Sequence, residues 1–275
     1  MLPVLFEAGP IKIYSWGFFL ALAYMAGTFI LWREGRRQGY KEEKLLDLSV
    51  ICLAAAIIGG RVLFVLLNWH LFQDNPISSL YFWEGGFAYL GSLVSVLLSG
   101  ILVLRLWKWP FFQIADITAL SATIGLVLGR VGSFLAGLEY GTITDQPWGV
   151  RLPGIVGLRH PAALYEAATY LLIFTYLYLS YHHNLSSGYV KSGKVFFAFL
   201  LSTSMARIFL ELFRAQANYV GPLPLFSLLS LIIAIFAIVA LYYFQIRSFR
   251  EDARAFLKNF LVLNEKVLRR FGFNK

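Results

Sequence analysis

Apolar residues gather in seven long blocks separated by short polar breaks, near Tyr14–Trp32, Leu46–Leu67, Phe87–Trp107, Ile114–Ala136, Pro161–Tyr181, Lys194–Phe213 and Leu223–Phe244. Each is about as long as the ~18–20 residues a helix needs to cross roughly 30 Å of hydrocarbon. The pattern predicts an all-α polytopic membrane protein with about seven transmembrane helices. The first block lacks a basic start and a small-residue cleavage site, so it is expected to stay as a helix rather than be removed as a signal peptide. No repeat or low-complexity linker interrupts the series, which gives one membrane domain over residues 1–247. The remainder, 248–275, alternates charges with Phe256, Leu257, Phe260, Leu261, Leu263 and Val267 at near-helical spacing, as an interfacial amphipathic helix would.

Composition strengthens this reading, because 59% hydrophobic and 14% charged residues lie outside the range of soluble domains. The basic residues then set an orientation, since short cytoplasmic connections are rich in Lys and Arg. Arg33, Arg36, Arg37, Lys41 and Lys44 follow the first block, Arg105 and Lys108 the third, and Lys191 and Lys194 the fifth. Eight more lie from Arg247 to Lys275, whereas the other side carries Lys12, Arg151 and Arg159. The N-terminus is therefore expected outside and the C-terminus in the cytoplasm. On this reading the net charge of +9 reflects topology and attraction to anionic membrane lipids, not nucleic-acid binding. Cys52 is the single cysteine and falls inside a span, so it is expected to be a small core residue.

Four arginines, Arg61, Arg130, Arg207 and Arg214, fall within or at the edge of the spans. A charge at membrane depth costs at least about 2.5 kcal/mol, so such residues face a protein interior or a wet cavity with a partner. In RIFLELFR, helical spacing puts Arg207, Glu211 and Arg214 on one face. They form either an internal ion-pair ladder or, because two arginines outnumber one glutamate, a place for an anion such as phosphate. Arg130 stands among Gly125, Gly129, Gly132 and Gly137, a helix-packing seam or a close approach for a headgroup, with Glu139 and Tyr140 just beyond. His160 precedes Pro161, a helix-starting position, and Tyr165 and Glu166 follow a turn later. A histidine there is a cap or a functional group, and a glutamate there also favours the helix dipole. Gly85 and Gly86 open the third block near Glu84 and Tyr89, where backbone amides could hold an anion. All these positions are expected toward the outer half of the bilayer.

Taken in order, GGR at Arg61, WEGG before the third block, GRVGSFLAGLEYG around Arg130, RHP with LYE from His160 to Glu166, and Arg207, Glu211 and Arg214 resemble the bacterial prolipoprotein diacylglyceryl transferases. The likeness runs roughly from Tyr14 to Phe244. It implies an inner-membrane enzyme that moves the diacylglyceryl group of phosphatidylglycerol to the lipobox cysteine thiol of a prolipoprotein, releasing glycerol phosphate. Arg130 and Arg207 would hold the phosphoglycerol, with Glu139 and His160 in the catalytic set. Arg61, Gly85, Gly86, Tyr89, Ser133, Glu166, Glu211 and Arg214 would bind or orient substrate. No metal ligand cluster is visible, and no metal or other cofactor is expected.

The chain departs from that family at Leu90, where a histidine is usual, at Ser133 and Ala136 in place of asparagines, and at Glu139, displaced by one residue. A thiol with an ordinary pKa of about 8.5 needs help near neutrality, which Leu90 cannot give. Either His160 supplies the base or neighbouring arginines favour the thiolate. Alternatively the chain is a paralogue that transfers a lipid-derived group to another acceptor, or binds or transports lipid without chemistry. A transporter would want matched inverted repeats, and none is visible.

Overall fold

The computed structural model describes residues 2–8, 11–152, 154–186, 192–215, 219–220 and 223–245. Seven helices within it are long and apolar enough to span a membrane. They are α1 (Ser15–Arg37), α2 (Glu42–Leu67), α3 (Tyr89–Leu106), α4 (Phe111–Ala136), α5 (Ala162–Ser186), α6 (Lys194–Leu210) and α7 (Leu225–Gln245). The tail expected over 248–275 lies outside the described residues.

Several helices run past their apolar blocks. Helix α1 continues from Trp32 to Arg37, α2 begins at Glu42 rather than Leu46, and α5 reaches Ser186 rather than Tyr181. The backbone ladder does not stop where hydrocarbon does, and charges suit these ends. Arg36 and Arg37 close α1 and Glu42 and Glu43 open α2, each complementing the helix dipole. Between them Gly39 takes φ +84°, and Tyr40 donates its amide to Gly35.

Large apolar side chains face outward along the spans, Ile58 and Leu66 on α2 and Ile232 and Phe236 on α7 among them. Water would not tolerate such a surface, and lipid does. The interior combines large side chains such as Leu45, Ile117 and Leu177 with small residues that allow close backbone approach, such as Ala119 on α4, Ala163 and Ala167 on α5, and Ala234 and Ala237 on α7.

Two compact units divide the chain, one covering Val4–Gly132 and the other Met1–Pro3 with Ser133–Lys275. In the first, β1 (Val4–Ala8) and β2 (Ile11–Tyr14) form an antiparallel hairpin that runs directly into α1. Helices α2 and α3 pack face to face, with Gly59 against Gly91 and the Ser92 hydroxyl donating to Ala56 O at 2.8 Å. Part of the glycine run around Arg130 is a packing seam, because Gly132 meets Phe19 of α1. At the basic end, Tyr40 donates to Gln113 Oε1 at 2.7 Å and packs at a tilt against the Trp109 ring. The buried Glu34 lies between Arg33 and Arg37, at 3.5 and 3.1 Å.

In the second unit α5, α6 and α7 pack in succession. Two short hairpins sit in its connections, β3 (Val150–Arg151) with β4 (Leu158–Arg159) and β5 (Tyr219–Val220) with β6 (Leu223–Pro224). No strand was expected from the sequence, because pieces of two residues carry no readable periodicity.

Candidate active site

The second unit concentrates the charged candidates. From Tyr140 to Thr144 the chain runs extended between two neighbours. Gly141 donates to His160 O, His160 to Thr142 O and Thr144 to Leu158 O, each at 3.0 Å, while Thr142 donates to Phe213 O at 3.0 Å and Ala215 to Tyr140 O at 3.3 Å. Gly141 lies at the crossing. A Cβ there would stand 2.5 Å from His160 O and 2.6 Å from Phe213 O, so only glycine lets the three segments meet.

That frame explains a departure from the helical reading of RIFLELFR. Helix α6 ends at Leu210, Glu211–Phe213 tighten into a 3₁₀ turn, and Arg214 is extended with φ −91° and ψ 134°. The backbone of Phe213 to Ala215 is drawn into pairing with Tyr140 to Thr142, which a continued helix would forbid. Arg207 and Glu211 still pair at helical i,i+4 spacing, and Arg214 joins them through side-chain reach rather than a shared helical face.

Their charge balance is the reverse of the expected one. Arg207 lies 3.4 Å from Glu166 and 3.3 Å from Glu211, and Arg214 lies 2.8 Å from Glu166, 3.1 Å from Glu139 and 3.9 Å from Glu211. Among the described residues three carboxylates lie within 4 Å of these two guanidiniums, so the positive excess read from the α6 motif alone does not hold for the pair once α5 and the loop after α4 contribute. Glu166 is fully buried and binds both arginines, which gives it a much larger part than favouring a helix dipole. Arg207 also lies over the Phe226 ring, 5.3 Å from its centroid.

His160 and Tyr165 complete this region. The Tyr165 hydroxyl meets His160 Nδ1 at 3.1 Å and the Trp148 indole N–H at 2.7 Å, and Phe213 packs edge-on against both the histidine and tyrosine rings. Ser133 is buried near the end of α4 and accepts the amide of Leu138. Trp148 and Gly141 were not singled out as functional positions in the sequence. Only the spacing of Gly141 two residues after Glu139 could have hinted at a tight crossing.

The remaining candidates belong to the first unit. Arg130 is half-buried on α4. Arg61 is buried, and its guanidinium donates to backbone carbonyls, Nε to Ser79 O at 2.8 Å, Nη2 to Ser78 O at 3.1 Å, and Nη1 to Gly86 O at 3.2 Å and to Gly85 O. It gathers the loop before α3 rather than presenting a free fork to an anion. Gly85 and Gly86 have φ +85° and +77°, and a Cβ on Gly86 would strike Phe64 and Arg61. The amides of Glu84, Gly85 and Ala88 are bonded to carbonyls, so they are not offered to a ligand. Tyr89 and Leu90 are exposed at the start of α3.

Arg61→Lys is expected to loosen this loop, because a single ammonium cannot span four carbonyls. Loss of charge-assisted bonds of roughly 1.5–3 kcal/mol each should show as faster proteolysis between residues 75 and 86.

A family profile described as Prolipoprotein diacylglyceryl transferase matches residues 3–243. The chain belongs to the prolipoprotein diacylglyceryl transferase family. Among its relatives is the phosphatidylglycerol--prolipoprotein diacylglyceryl transferase of Geobacter sulfurreducens, 33% identical over 236 residues that cover 83% of this chain and 89% of the relative. Proteins of the same name from Nostoc sp. and Clostridioides difficile are each 30% identical, covering 83% and 87% of this chain and 84% and 94% of their own. The motifs at Arg61, Arg130, His160 and Arg207, and the ion network joining Glu139, Glu166, Glu211, Arg207 and Arg214, all lie within the matched residues.

Proposed function

We infer that this protein transfers the diacylglyceryl group of phosphatidylglycerol to the lipobox cysteine thiol of a prolipoprotein, working toward the outer half of the bacterial inner membrane. The observation that carries this reading is the family match across nearly all of the described chain. The basic connections after α1, α3 and α5 support an N-terminus outside and a C-terminus in the cytoplasm.

In the reaction the thiol gives up its proton and sulfur attacks the glyceryl carbon. A carbon–sulfur bond forms, the carbon–oxygen bond to phosphate breaks, and the phosphate departs as glycerol phosphate, which takes up the proton the thiol loses. The catalytic need is stabilisation of charge on that phosphate, for which guanidinium forks are suited. Arg207 is assigned to the phosphoglycerol, and Arg130 to the same group through its place in the family motif. Glu166, Glu211 and Arg214 hold Arg207 in place, and Glu139 holds Arg214. His160 belongs to the catalytic set. Tyr89 and Ser133 contact substrate, whereas Arg61, Gly85 and Gly86 shape the loop before α3.

The test is transfer from labelled phosphatidylglycerol to a lipobox peptide by purified protein, beside Arg130→Ala and Arg207→Ala. Loss of about 10²–10³-fold in each variant is expected, the usual cost of removing a donor to developing charge. Wild-type protein that binds the lipid but makes no thioether would favour the second reading, a paralogue with another acceptor or none. The apolar, exposed Leu90 at a place where the family has a histidine is the observation on that side.

A further inference from the structure

The hydroxyl of Tyr165 has two partners, and their chemistry fixes where its proton goes. The Trp148 indole N–H can only donate, so the phenol oxygen accepts at 2.7 Å. With the indole satisfied, the phenolic proton can point at His160 Nδ1, 3.1 Å away, the arrangement that uses the proton within the protein. A ring nitrogen that accepts a hydrogen bond carries no proton, so the neutral imidazole holds its proton on Nε2. The opposite tautomer would aim two N–H groups at one phenol oxygen and leave the phenolic proton without an acceptor among the described residues. Nε2 itself makes no hydrogen bond among the described residues.

The ring's position gives this tautomer a use. His160 O accepts the amide of Gly141, and Gly141 is bridged to Arg214, so the histidine is mounted on the frame that fixes the ion network. Phe213 packs against the ring at 5.4 Å and restricts its turning. Tyr165 and Glu166 are consecutive on α5, so one helical turn orients both the histidine and the arginines. A nitrogen that already bears a proton accepts none, which makes the resting side chain a donor instead of a base.

We propose that His160 serves as a neutral Nε2–H hydrogen-bond donor to a phosphate oxygen of the lipid substrate, with Tyr165 and Trp148 as positioning residues that set its tautomer. The proposal rests on the transferase reading. Charge grows on the phosphate oxygens as the carbon–oxygen bond breaks, and a donor held beside them stabilises it without transferring its proton.

The chain has four histidines, so selective ¹⁵N-histidine labelling resolves the ring, with the His160 signals identified by their loss in His160→Gln. An Nε2-protonated ring in wild type that becomes a tautomer mixture in Tyr165→Phe, and shifts less in Trp148→Phe, is the expected result. An Nδ1-protonated ring in wild type overturns the proposal. In the transfer assay, the glutamine amide donates from nearly the same place as Nε2 but cannot serve as a base. His160→Gln should therefore stay within about fivefold of wild type while His160→Ala falls by about fiftyfold or more, and Tyr165→Phe should lower kcat with little change in KM for the lipid. A folded His160→Gln as inactive as His160→Ala also overturns it. Wild-type protein inactive with a lipobox peptide sinks the transferase reading, whereas an Nδ1–H tautomer sinks this inference alone.

Discussion

Replacing Glu166 with alanine is expected to cost this protein both its stability and its activity. The carboxylate is fully buried and stands 2.8 Å from Arg214 and 3.4 Å from Arg207, whose side chains are themselves only 13% and 15% exposed. Removing it takes away the buried carboxylate nearest Arg214 and one of the two that pair with Arg207, and breaking a buried pair in this way costs about 3–5 kcal/mol even though Glu139 and Glu211 remain. The apparent melting temperature in detergent should fall by roughly 5–15 °C. Transfer should fall by about 10²-fold or more if Arg207 holds the phosphoglycerol as proposed, because displacing such a group by an ångström has that effect. Glu166→Gln retains an acceptor at the same place without the charge, so it should lie between wild type and alanine in both measurements. An alanine variant that melts and turns over like wild type would mean that Glu166 does not hold the arginines.

Gly141→Ala should do comparable damage for a different reason. The obstacles to its Cβ are His160 O and Phe213 O, which are backbone atoms locked in pairing and cannot swing aside as a flexible side chain would. Overpacking of this kind costs roughly 1–3 kcal/mol, sometimes more, and here the strain falls on the three segments that carry Glu139, His160 and Arg214. Activity should fall by about 10²-fold, with the backbone amides of Gly141, Thr142 and His160 exchanging faster with solvent deuterium. Gly17→Ala is a suitable control. No atom lies within 4 Å of the added methyl group there, and stability and transfer should both stay near wild type.

These two positions differ in how visible they were beforehand. Glu166 was recognisable as a candidate, but its partners are 41 and 48 residues away in the chain, and no spacing rule reaches that far. Gly141 looked like one more glycine in a glycine-rich motif. Arg61 was expected to contact substrate because an arginine within a span must have a reason to be there. Its reason is a set of loop carbonyls, which supply acceptor oxygens without supplying any residue type that a sequence pattern could reveal.

The sequence by itself determined the seven membrane-crossing helices, since a stretch of apolar side chains long enough for the bilayer is a local property of the chain. It also determined the Arg207–Glu211 pair, which follows from the 3.6-residue period of α6. The tertiary structure alone decided the sign of the charge cluster, because Glu139 and Glu166 arrive from other elements. It decided likewise that Arg214 leaves the helix and that the Tyr165 hydroxyl lies between His160 and Trp148, because backbone pairing and side-chain contacts of this kind depend on neighbours the chain reaches only once folded.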